Sequence, residues 1–113
     1  MSTPTRAADC LFCKIVAEEI SADVVHRTDR VLAFRDIAPQ APTHVLVIPL
    51  DHYENAAATA AADAATVAEL VAAAATVADA DGLDGHYRLV LNTGTGVGQS
   101  VFHTHLHLLG GGR

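Results

Sequence analysis

The chain has 113 residues, half of them hydrophobic and 4% aromatic, with a formal net charge of -6. That length suits one compact domain whose core must rest on Val, Leu and Ile. The acidic balance and the lack of any Lys/Arg run exclude the electrostatic footprint of a nucleic-acid binder, so no nucleic-acid partner is expected. A small anion can still be held by backbone N–H groups and histidines.

Met1 to Asp9 is polar and lacks the apolar run of a signal peptide. Residues 1–8 are expected to form a disordered tail before a single domain over 9–113. Asp9 is positioned to cap a short helix over Leu11 to Val16. Cys10 and Cys13 stand as Cys-Leu-Phe-Cys, a spacing that in a cytosolic protein points to metal or redox chemistry before a structural disulfide. Two reduced cysteines without a metal are the alternative. Val24 to Arg27 and Val31 to Arg35 read as two strands joined by a tight turn, and His44 to Ile48, ended by Pro49, reads as a third.

One long helix is expected from Ala60 to Ala80, with Thr59 as N-cap, Val67, Leu70, Val71, Ala74 and Ala78 as its buried stripe, and Gly82 as its stop. Asp63, Glu69 and Asp79 make this alanine-rich stretch too polar to span a bilayer, so the expected location is cytoplasmic, with no membrane partner. Tyr87 to Asn92 and Val101 to Leu109 supply a fourth and a fifth strand. Short connections favour antiparallel pairing. The class is therefore α+β: a five-stranded antiparallel sheet with one long helix and a short N-terminal helix.

Side chains alternate along a strand, so His103, His105 and His107 are expected to point the same way, about 6.5–7 Å apart, with Thr104, Leu106 and Leu108 turned to the core. Histidine chiefly supplies titration, nucleophilicity or metal ligation near neutral pH. Two of the row plus a third ligand can make an open metal site. Alternatively, one imidazole attacks an electrophile while the others manage charge and protons. The preceding loop, Asn92 to Ser100, combines glycines with an amide and hydroxyls, which lets backbone N–H groups approach phosphate oxygens and favours the second chemistry.

His103 to Leu109 resembles the His-φ-His-φ-His-φ-φ signature of the histidine triad (HIT) family, with Thr104 a departure at one apolar position. Phe34 to His44, Val47-Ile48-Pro49 and Gly98 to Phe102 are similar to the corresponding stretches of its Hint-like branch, the purine nucleoside phosphoramidases. The resemblance covers nearly everything from Asp9 to Gly112. It implies the histidine triad fold, a homodimer with a continuous sheet, and a hydrolase that cleaves purine nucleoside phosphoramidates or acyl-adenylates to a nucleoside monophosphate such as AMP. By the same resemblance His105 is the nucleophile that carries a covalent nucleotide. His107 and the Gly98-Gln99-Ser100 backbone cradle the phosphate, and His44 shares protons. Ser100 meets the leaving group, and Asn92 positions phosphate and loop. Asp36 binds the ribose, and Leu11, Phe12, Ile15, Phe34, Ile37 and Leu46 form the base slot. Catalysis then needs no cofactor, while Cys10, Cys13, His52 and His103 match the ligands of a structural zinc in bacterial relatives. Dinucleoside polyphosphate hydrolysis, as in another branch of the family, and a nucleotide-binding interaction protein are the rival readings. His26 and His86 match no motif and read as surface histidines.

Overall fold

The chain runs α1 (Leu11–Val16), β1 (Val24–Arg27), β2 (Val31–Arg35), β3 (Thr43–Pro49), α2 (Ala56–Ala62), α3 (Ala64–Ala80), β4 (Tyr87–Leu91), a 3₁₀ turn (Thr95–Val97) and β5 (Leu106–Gly110) in a computed structural model that describes residues 5–111. The five strands make one antiparallel sheet in the order β1-β2-β3-β5-β4. The central strand β3 is buried along its whole length, which matches its nearly continuous apolar sequence.

Period-two alternation divides the sheet into two faces with different tasks. Val31, Ala33, Val45, Val47, Leu106 and Leu108 pack against Leu70, Ala73, Ala74, Val77 and Ala78 of α3. Leu32, Phe34, Leu46 and Ile48 face the other way, onto Phe12, Cys13 and Ile15 of α1. Leu46 sits opposite Phe34 on one side and His107 on the other, so the histidine shares the α1 face. Arg35 belongs to the α3 face, where it grips Asp81, the C-cap of α3, through two bonds of 2.9 Å, while Thr43 Oγ1 donates to the same carboxylate at 2.8 Å. A carboxylate opposes the helix dipole at that end, and the guanidinium offsets it.

The fold class is the one expected, and β1 and β2 occupy the expected ranges. Several local expectations are corrected. The single helix over 60–80 is two helices, broken at Asp63, whose carboxylate caps α3 by accepting from Thr66 Oγ1 at 2.8 Å and Thr66 N–H at 3.4 Å. Asn55, not Thr59, caps α2, accepting the Ala58 N–H at 2.9 Å. Cys10, not Asp9, caps α1. Val71 is exposed, since the buried stripe of α3 runs through Ala73 and Val77. Gly82 does end the helix, in the left-handed conformation at φ 73°.

Of the expected tail, residues 1–4 lie outside the described residues. Thr5 to Ala8 are tied to the body: Thr5 N–H donates to Asp51 at 2.8 Å, Arg6 pairs with Glu19 at 3.0 Å, and Cys10 N–H donates to the Ala7 carbonyl at 3.1 Å.

Candidate functional site

The segment that carries the three histidines is only partly a strand. β5 begins at Leu106, and 101–105 is an irregular run in which His103 and Thr104 bond to remote segments, in place of the expected strand from Val101. Thr104 N–H donates to the Tyr53 carbonyl at 2.8 Å, and Thr104 Oγ1 meets Thr59 Oγ1 of α2 at 2.8 Å. His103 is fully buried and reaches the Pro49 carbonyl with Nε2 at 2.9 Å. The row therefore splits. His105 and His107 stay together, ring centroids 5.1 Å apart, and His103 turns to a second cluster.

His105 and His107 line an apolar cleft of about 300 Å³. Its walls include Leu11, Phe12, Ile15, Phe34, Ile37 and Leu46, with Asp36 and Ser100 at the rim. Phe12 stands edge-on to His105 with centroids 5.2 Å apart, and to Phe34 at 5.6 Å. Ile37 is wholly exposed and Leu11 is 44% exposed, so this rim offers apolar surface that a flat ring can cover. Ile20, Ser21, Ala22, Arg35 and Val101 also line the cleft and carry no sequence signal for that role.

Asn92, Gly98 and Gln99 are not brought to the cleft wall. The Gly98 and Gln99 N–H groups are used inside the loop, by the Thr95 and Gly94 carbonyls at 3.1 Å each. The Gln99 side chain is buried as a brace: its amide donates to the Glu54 and Val101 carbonyls and accepts the Gly94 N–H at 2.8 Å. Gly98 takes φ 96°, a left-handed turn that suits glycine. Of the three expected phosphate-facing amides, only that of Ser100 has no internal partner among the described residues.

Hydrogen bonds fix a tautomer for each ring. His105 Nδ1–H donates to the His103 carbonyl at 2.8 Å, so Nε2 holds the lone pair. Gln40 N–H donates to His44 Nδ1 at 3.1 Å, so neutral His44 carries its proton on Nε2 and offers it to His107 Nδ1 at 3.1 Å. His107 then keeps its own proton on Nε2, which no group among the described residues takes up. Burial lowers the pKa of His107, and the neighbouring His105 and His44 lower it further against the pull of Asp36. Asp36, His44 and His107 are close enough to hold an ion. A metal on His44 Nε2 would need an imidazolate or would break the Gln40 bond, so this group reads as a proton-sharing pair beside a carboxylate.

The second cluster has the opposite character. His103 Nδ1 lies 3.4 Å from Cys10 Sγ, 3.5 Å from Cys13 Sγ and 3.2 Å from His52 Nδ1, and Cys13 Sγ lies 3.3 Å from His52 Nδ1. Around a zinc with ordinary bond lengths, tetrahedral ligand edges are about 3.3 Å for N–N and about 3.5 Å for S–N. The donor set fits such an ion. Pro49 holds the proton of His103 on Nε2, the outer contact expected of a ligating imidazole, and burial pushes the His103 pKa down to about 4, keeping Nδ1 unprotonated. Burial raises the Cys13 thiol, the reverse of what a free reactive thiolate would need, whereas a bound cation would deprotonate it.

The model of the HIT domain matches residues 17–113. The chain belongs to the histidine triad family. It is 43% identical over 107 residues to the purine nucleoside phosphoramidase of Escherichia coli, covering 93% of this chain and 89% of that protein. A HIT family hydrolase of Legionella pneumophila superposes with a TM-score of 0.88 at 48% identity, covering 93% of this chain and 95% of the other. One from Clostridium thermocellum gives 0.90 at 40% identity, with 94% and 93% covered. This histidine triad protein is a hydrolase of that family. Among its described residues no helix is long and apolar enough to cross a membrane.

Proposed function

We propose that this histidine triad hydrolase cleaves purine nucleoside phosphoramidates or acyl-adenylates to the nucleoside monophosphate, in two steps through a nucleotide held covalently on His105. The observation that carries the reading is the His105 tautomer: with Nδ1–H held by the His103 carbonyl at 2.8 Å, the Nε2 lone pair is available to phosphorus. In the first step Nε2 forms a bond to phosphorus as the bond to the leaving group breaks: a carboxylate oxygen, which departs unprotonated, in an acyl-adenylate, or a nitrogen in a phosphoramidate. That nitrogen departs as an amine, with a solvent proton passed through the Ser100 hydroxyl. In the second step water attacks phosphorus as the bond to Nε2 breaks; the water gives up a proton to solvent, the monophosphate leaves, and the Nε2 lone pair of His105 is regenerated.

His107 Nε2–H and the free Ser100 N–H meet the non-bridging oxygens, where charge grows. His44 sets the tautomer of His107 and acts as a positioning residue, while Asn92, Gly98 and Gln99 act through the shape of the loop. Asp36, its Oδ1 anchored by Ala38 N–H at 2.8 Å, keeps acceptor capacity for the ribose hydroxyls. The apolar slot takes the purine, in keeping with the phosphoramidase relative of Escherichia coli.

Cys10, Cys13, His52 and His103 would hold a zinc ion. Four protein donors would complete its coordination, so it would supply rigidity, and the two steps above need no cofactor. Reduced thiols suit a cytoplasmic location. A homodimer would form along β4, an edge strand with Tyr87 and Leu91 exposed.

The deciding experiment compares turnover of adenosine phosphoramidate and a diadenosine polyphosphate, on the wild type and His105→Ala, with and without chelator. Fast release of AMP from the phosphoramidate, lost in the variant, is the expected result. Preference for the polyphosphate would move the protein to the other branch. Tight AMP binding without turnover of either substrate would make it a nucleotide-binding protein.

A further inference from the structure

We infer that metal binding and nucleotide binding are thermodynamically linked in this protein, with Phe12 and His103 as the positioning residues that couple them. The inference rests on the two readings above, a metal at the Cys/His cluster and a nucleotide in the cleft, and adds that each tightens the other.

Both sites are built on the same few residues. Cys10 and Cys13 bracket Leu11 and Phe12 in a helix of only six residues, with Cys10 Sγ also accepting the Cys13 N–H at 3.4 Å as the helix cap. A helix that short has no stability of its own and takes its order from what pins it. The two cysteines pin it on the metal side, while Leu11, Phe12 and Ile15 form the wall of the cleft on the other. Phe12 touches both clusters, edge-on to His103 at 5.9 Å and to His105 at 5.2 Å. His103 spans the same gap through its backbone: its side chain points Nδ1 at both sulfurs, and its carbonyl holds the Nδ1–H of His105 at 2.8 Å. Ordering α1 and the His103 carbonyl is a cost that either ligand meets, so the second to bind meets less of it.

The test is a competition between the zinc-loaded protein and a chromophoric chelator of known affinity, with and without saturating AMP. AMP is expected to raise zinc affinity about 5–150-fold, the usual range of such coupling, and zinc to raise AMP affinity by the same factor. Phe12→Leu keeps all four ligands but alters the slot wall, so AMP is expected to bind more weakly; at AMP concentrations that saturate the variant, the factor is expected to fall toward one. A second readout is the ¹⁵N resonance of His105, expected to lose its single Nδ1–H signature when zinc is withdrawn. Unchanged zinc affinity with AMP bound overturns the linkage and leaves both sites standing. No zinc binding overturns it together with the metal reading, and no AMP binding overturns it together with the nucleotide reading. If Phe12→Leu does not fold, the wild-type linkage alone decides.

Discussion

The carbonyl oxygen of His103 lies 2.8 Å from Nδ1 of His105, two residues on, at the point where the chain is about to enter β5. A regular strand would spend that carbonyl on a neighbouring strand. Here the irregular run over 101–105 leaves it free to orient an imidazole. The departure from strand geometry and the tautomer of His105 are therefore one feature.

Nitrogen-15 NMR of the histidine rings reads this directly. At neutral pH His105 is expected as the Nδ1–H tautomer and His44 as Nε2–H, since the His103 carbonyl accepts from one and Gln40 N–H donates to the other. An Nε2–H tautomer at His105 would remove the lone pair from the cleft and with it the nucleophilic role.

Cys13→Ser is expected to abolish zinc in elemental analysis and to lower stability by about 3 kcal/mol, roughly 10 °C in Tm. Chelation of the wild type should produce the same shift. Equal Tm values with and without chelator would show that the cluster holds no structural ion.

Gln99→Ala removes three hydrogen bonds from a buried amide and leaves the Glu54 and Val101 carbonyls without a donor. The expected cost is about 1–3 kcal/mol. Because the brace sets where Ser100 stands, kcat/KM is expected to fall roughly tenfold or more. Gln99→Glu keeps the shape but not the donor and should lose as much; full activity in both would mean the loop is fixed by its glycines alone.

Asp81→Asn tests the tie between α3 and the sheet. The Arg35 bond holds the Asp81 carboxyl below its ordinary value, aided by Thr43 and opposed by burial. A depressed pKa contributes stability that is present above the unfolded value and is lost as pH falls through the folded one. Urea titration should show a loss of about 1–2 kcal/mol at pH 7, modest because Arg35 is partly solvated, and almost none near pH 2. A gap that stays constant with pH would assign the effect to packing.

The apolar runs of β1, β2 and β3 and the turn residues between them were enough to locate these strands, because their signals are local. The break at Asp63 was masked by the high helix propensity of the alanines on either side, although Asp63 and Thr66 stand at the spacing of a cap. The strand expected from Val101 starts only at Leu106: His103 and Thr104 alternate like strand residues, while their partners, Pro49, Tyr53 and Thr59, are remote in sequence. Gln99 lies in a loop whose composition resembles a phosphate cradle, and nothing local tells a buried brace from an exposed donor. The residues proposed for the base slot and the Cys/His set are legible only through family resemblance; the sheet register and the packing of α1 bring each group together.

Thr104 is fastened to the Tyr53 carbonyl through both its N–H and its hydroxyl, and to Thr59 of α2 from behind. Its amide can meet solvent only when the 49–59 connection and α2 come away together. In hydrogen exchange the Thr104 amide is therefore expected to open with α2 and the 49–59 connection and not with the loop that precedes it.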